Sequence, residues 1–169
     1  LIQKLRKNCT ALGNNNISES ISQGLISGAF DIFANQRLGV NRYRSPTDEQ
    51  AVVLEDNNQQ PLLSASDIDR FAIYPPTLSI IFPYEIKSGK PILMDSAKLQ
   101  SKFPRAWAHL KSHEQELRKR DAGQFAQEGA EKDNWYAYSR NQNLDKQARP
   151  KIVIAGTGTK IEAAIDESG

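Results

Sequence analysis

Apolar and polar positions along this chain alternate in two rhythms. Short apolar runs bounded by Gly, Pro, Asn or Asp read as strands: Ala51-Val52-Val53-Leu54, Leu78 through Tyr84, Lys151 to Ala155, and Ile161 to Ile165. Ile21 to Gly28 and Phe30-Asp31-Ile32-Phe33 read as two more short strands around a turn. Gly24 and Gly28 there would let the backbone take positive φ or approach a neighbour closely. Asp56 to Pro61, Tyr74-Pro75-Pro76, Ser88-Gly89-Lys90-Pro91 and the Gly156 to Lys160 stretch read as turns. A helical rhythm occurs twice. Leu1, Ile2 and Leu5 sit among Lys4, Arg6 and Lys7, which makes residues 1–12 a candidate linker helix. Asp95 or Ser96 can cap a helix running through Gln100, and Pro104 suits a first helical turn. From there to Arg120 one helix face would carry Trp107, Leu110 and Leu117. Asn14 to Asn16, Arg37 to Pro46 and Ala122 to Asp133 are polar and read as loops.

These elements predict an α+β fold: a twisted, mainly antiparallel sheet with one long helix and one or two short helices. Strands joined by short turns dominate both ends, which argues against a doubly wound parallel sheet. At 169 residues the chain suits one domain with a real core. Its first residue is Leu1 and its last segment, Asp166 to Gly169, has a strand-turn character, as expected of a piece of a longer protein.

Composition narrows the chemistry. The single Cys9 excludes an internal disulfide framework and fits a reducing, cytoplasmic setting. With only His109 and His113 beside it, an ordinary zinc site is short of ligands. No apolar run has transmembrane length. The net charge is only +2, so a basic surface must be local. One is in sight between residues 98 and 120, where Lys98, Lys102, Arg105, Lys111, Arg118, Lys119 and Arg120 face only Glu114 and Glu116. Such charge is most often a solvated helix face; its functional version is a stripe for backbone phosphates. Arg42 and Arg44 flank Tyr43 in a second basic segment. Trp135 to Leu144 places three aromatics beside Arg140, Asn141, Gln142 and Asn143, and amide and guanidinium groups of this kind can read base edges in pairs of hydrogen bonds. The plain alternative is that these rings are core.

The same residues carry a family resemblance. Gln23, Gly24, Ser27, Gly28 and Phe33 match a "QGxxTGxxxxF" hairpin with Ser in place of Thr; Asp67-Ile68 with Arg70-Phe71, then Ile81-Phe82-Pro83-Tyr84, the basic helix, Trp135-Tyr136 with Tyr138, Arg140 and Gln142-Asn143-Leu144, and Pro150-Lys151-Ile152-Val153 follow in order. This succession resembles the C-terminal specificity domain of TaqI-type adenine-N6 DNA methyltransferases and the fused type II restriction-modification enzymes related to them. The resemblance implies that residues 1–169 are a target-recognition domain, non-catalytic by itself, docking beside a catalytic methyltransferase domain that flips out an adenine and methylates it from S-adenosylmethionine. Its partners would be double-stranded DNA and that catalytic domain, with or without an endonuclease activity in the parent protein. Arg140, Gln142 and Asn143 are the first candidates for base contacts, although residues shared across a family serve structure as readily as specificity. Gln23 and Ser27 join them from the hairpin, and Lys98, Lys102, Lys111, Arg42 and Arg44 are candidates for phosphate contacts.

Other chemistries fit less well. Gly156-Thr157-Gly158 follows a strand, but a dinucleotide fingerprint would put its third glycine at Ile161. Tyr74-Pro75-Pro76 lacks the Asn of a methyltransferase "NPPY", and no glycine-rich methyl-donor loop is present, so no cofactor is expected in this segment. Glu85-Ile86-Lys87, with Asp67 and Asp69 upstream, loosely matches the E-x-K strand of Mg²⁺-dependent nucleases and keeps that class open. A protein-interaction domain is the third class, expected to show an apolar rather than a basic surface.

Overall fold

A computed structural model describes residues 21–120, 134–141, 143–156 and 160–167. The candidate linker helix, the Asn14–Asn16 and Ala122–Asp133 loops and Gln142 lie outside the described residues.

The fold is α+β with antiparallel pairing throughout. A five-stranded sheet has the order β3 (Ala51–Val53), β2 (Arg42–Arg44), β1 (Ala34–Gly39), β7 (Leu78–Ile81), β4 (Gln59–Leu62). Three two-stranded ribbons surround it: β5 (Ile68–Asp69) with β6 (Ala72–Ile73), β8 (Tyr84–Lys87) with β9 (Lys90–Leu93), and β10 (Lys151–Ile154) with β11 (Ala163–Asp166).

Several segments differ from the sequence reading. Ile21–Gly28 forms no strand, only a single bridge at Ile26; the Leu78–Tyr84 run is interrupted at Phe82-Pro83; and Gln59 to Pro61, read as part of a turn, lies in β4. Phe30–Phe33 is a single helical turn (α1), not a strand. Gly28 takes φ +76 at a bend, and the following turn sends Ile32 and Phe33 into the core. The Arg37–Pro46 stretch is not a loop: β1 and β2 pair through Gln36↔Arg44 and Arg37↔Tyr43. Two of its arginines are engaged, with Arg44 Nη2 donating to Gln36 Oε1 across the strands and Arg37 Nη2 to Asp56 Oδ2 in a neighbouring turn at 2.8 Å. Only Tyr43 of β2 points into the core, where the hydropathy pattern had little to detect.

The basic helical segment is broken into α2 (Ser96–Lys102), α3 (Pro104–Ser112) and α4 (Glu114–Lys119). Asp95 caps α2, its Oδ1 accepting from the Lys98 amide at 2.8 Å. Pro104 opens α3 at its first position. The exposed first turn of α3 is capped from a distance: the Glu55 carboxylate accepts from the Arg105 and Ala106 amides at 2.8 and 2.9 Å. A break at His113 separates α3 from α4, so no single long helix forms. Leu99, Phe103, Ala106, Leu110 and Leu117 nevertheless line one continuous apolar face. It packs with Phe33, Tyr43, Leu54, Ile80 and Ile81 of the sheet region and with Trp135, Tyr136, Tyr138 and Leu144 to form the core.

Candidate nucleic-acid interface

The Gln23–Gly28 segment and the Trp135–Asn141 segment meet in space. An isolated antiparallel bridge joins Ile26 to Arg140. The Arg140 amide donates to the Ile26 carbonyl at 3.2 Å, and the Ser139 amide donates to the Ser27 carbonyl at 3.1 Å. Above this bridge the exposed Gln23 and Arg140 side chains touch, with Arg140 Nη1 donating to Gln23 Oε1 at 3.3 Å. These residues are 117 positions apart.

Beneath the bridge lies an aromatic floor. Trp135, Tyr136 and Tyr138 are buried, which is the plain reading of those rings. Trp135 meets Tyr136 edge-on at 5.3 Å and Trp107 at 5.5 Å, and Tyr138 meets Phe33 edge-on at 5.2 Å. The phenol of Tyr136 donates to the Met94 carbonyl at 2.7 Å, and that of Tyr138 donates to the Ile81 carbonyl. Tyr84 Oη accepts from the Tyr138 amide at 2.8 Å. Burial pushes the Tyr84 phenol up to about 12 and the Tyr138 phenol well above its ordinary value. These rings cannot stack on bases; they hold the surface loop in place.

Arg120 is the residue that sequence reasoning missed. Counted there as one more charge in a basic stripe, it turns inward from the end of α4. Its guanidinium donates to the carbonyls of Leu117 at 2.9 Å, Trp135 at 2.7 Å, Ser27 and Ala137. It also lies over the Phe33 ring, 5.4 Å from the centroid. The available signal was its position at a helix C-terminus, where arginines commonly satisfy carbonyls.

The other candidates divide by environment. Ser27 is buried, its hydroxyl accepting weakly from the Ala29 amide at 3.4 Å, so it shapes the turn. Gly24 has no positive φ and faces open space. Asn143 takes the left-handed conformation at φ +64 and leads into the Leu144–Lys146 turn, its carbonyl accepting from the Lys146 amide at 3.0 Å. Lys98 is paired with Glu85 at 2.7 Å, and Lys111 and Arg118 both hold Glu114. Arg44 is engaged by Gln36. That leaves Arg42 and Lys102 exposed and without an acid partner among the described residues, with Lys102 resting over the Phe103 ring at 5.1 Å. The cationic surface is therefore smaller than the charge count implies.

Glu85 sits on the wall of a cleft of about 390 Å³ shared with Asn58, Lys87, Lys102 and Phe103. The hydrogen bond from Lys98, seconded by the charges of Lys98 and Lys87, holds its carboxyl below the usual range. Asp67 instead closes a capping box with Ser64, and Asp69 accepts from the Arg70 amide at 2.6 Å. No group of three His, Cys, Asp or Glu side chains among the described residues is placed to hold a metal ion. The E-x-K strand thus offers a neutralised acid. Among the described residues no helix is long and apolar enough to cross a membrane. The chain matches no family model and no curated protein.

Proposed function

We propose that this chain is a sequence-specific recognition module for double-stranded DNA. In this reading it positions the duplex for base flipping and methylation by a separate catalytic domain of an adenine-specific restriction-modification methyltransferase, the domain that would carry S-adenosylmethionine. The observation that carries the reading is the meeting of Gln23 and Arg140, two exposed side chains of base-reading type, on a backbone bridge supported by buried aromatics. Arg42 and Lys102, free of acid partners among the described residues, are the cations best suited to phosphates. The test is fluorescence anisotropy of the full-length protein with a random duplex pool at increasing salt, followed by sequencing of the bound fraction. Binding should weaken steeply with salt, and Lys102→Ala should lower the log–log salt slope by about one. Absence of duplex binding by the full-length protein at low salt would overturn the reading.

One observation favours association with a protein surface as well. Ile152 and Ile165 stand opposite each other on the β10–β11 ribbon and remain 52% and 68% exposed. An apolar ribbon face of this kind suits packing against another domain. Replacing both by serine should leave duplex affinity unchanged while lowering co-elution with a separately produced catalytic domain.

A further inference from the structure

The geometry points to guanine as the base read by Arg140, with Gln23 as its positioning residue, an inference that rests on the DNA-recognition reading above. A guanidinium has five N–H donors in a planar fork and no acceptor. One Nη1 hydrogen of Arg140 goes to Gln23 Oε1, and no other hydrogen bond or ion pair engages its side chain among the described residues. The remaining donors suit a partner with two adjacent acceptors. In the major groove guanine presents such a pair, O6 and N7; adenine sets a donor beside its N7, cytosine presents a donor, and thymine sets a methyl beside its O4.

Gln23 would by itself be an adenine reader, its amide oxygen accepting from N6 and its nitrogen donating to N7. Here that oxygen already accepts from Arg140. Its role is therefore to narrow the rotamers of the arginine. Arg140 also starts from anchored main chain, through its own amide's bond to Ile26 and the neighbouring Ser139 to Ser27 hydrogen bond. A fork held before binding loses less freedom when it meets the base. No carboxylate among the described residues neutralises Arg140, so its charge is available to the acceptors.

The experiment starts from the motif enriched by the full-length protein. Each guanine of that motif is replaced in turn by 7-deazaguanine, which lacks the N7 acceptor. One position is expected at which wild-type affinity falls about ten-fold, with no further fall in Arg140→Ala. Gln23→Ala should weaken guanine preference at that same position several-fold, and Gln23→Glu, whose carboxylate would neutralise Arg140, should weaken it further. Thermal unfolding of all three variants should match wild type, since both side chains are exposed. A motif unchanged in Arg140→Ala, or a Gln23→Ala effect confined to an adenine position, overturns the assignment while DNA recognition stands. A wild-type protein that binds no duplex overturns the underlying reading and this inference with it.

Discussion

Replacing Arg120 by methionine keeps a side chain of similar length against Phe33 and removes the guanidinium. The Ser27 carbonyl retains the Ser139 amide as a partner, but the Trp135 and Ala137 carbonyls accept from no other donor among the described residues. Both belong to buried residues. Stranding a buried polar group costs roughly 1–3 kcal/mol, so two of them should cost about 2–6 kcal/mol. A domain of ordinary stability has only about 5–15 kcal/mol in total. Urea unfolding followed by tryptophan fluorescence should therefore show a midpoint lowered by at least about 0.7 M, given slopes of roughly 1–3 kcal/mol per M. Arg120→Lys, which can satisfy fewer carbonyls, should fall between the two. An Arg120→Met variant within about 0.5 kcal/mol of wild type would refute the idea that this guanidinium ties the 135–137 segment to the turn at Ser27.

The remaining expectations concern single groups. Burial, opposed by a hydrogen bond to the Ile32 carbonyl and seconded by His113, holds the His109 pKa below its ordinary value. Its neutral form is thus the folded one; stability should be full above about pH 6.5 and decline as pH falls below it, and His109→Gln should flatten that decline in urea titrations across pH. At the alkaline end, burial lifts Tyr43 and Tyr84 to about 12, with the hydrogen bond to Asp56 adding to the shift at Tyr43. Stability should be intact below about pH 10 and lost as pH rises from there toward 12, with tyrosinate absorbance appearing together with unfolding. Tyr138→Phe removes the phenol's bond to the Ile81 carbonyl and should cost about 1 kcal/mol by chemical denaturation. At Asn143, glycine should be tolerated and valine should cost about 1–2 kcal/mol, because φ is +64 there; equal effects of the two in the same assay would contradict that backbone.

Elements built from near neighbours were legible in the sequence. The Lys151–Asp166 ribbon, the turn at Ser88-Gly89, the Asp95 cap and the Pro104 helix start each depend on residues a few positions apart. The five-stranded sheet was less legible. Its inner pairing of β1 with β7 is long-range, and β1 carries Asn35, Gln36 and Arg37 in a strand whose satisfaction comes from partners elsewhere. The candidate site was visible as residue types and invisible as geometry. The burial of Trp135, Tyr136 and Tyr138 is the plain reading of an aromatic run, but nothing along the chain reveals that Arg140 meets Gln23. Charge counting misled most. Arg120, Lys98, Lys111 and Arg118 look equivalent to Lys102 along the chain, and in the fold they are engaged by carbonyls or carboxylates.

The bridge between Ile26 and Arg140 closes a circuit around most of the domain. Joining points so distant carries a loop-closure cost that nearer contacts do not, so this junction belongs to the late steps of folding. During synthesis the N-terminal half emerges first and holds Gln23 without its companion until position 140 has cleared the ribosome. A ribosome-bound intermediate therefore lacks the paired surface even when its first strands have formed. The Gln23–Arg140 pair therefore forms in one step, only after position 140 has emerged.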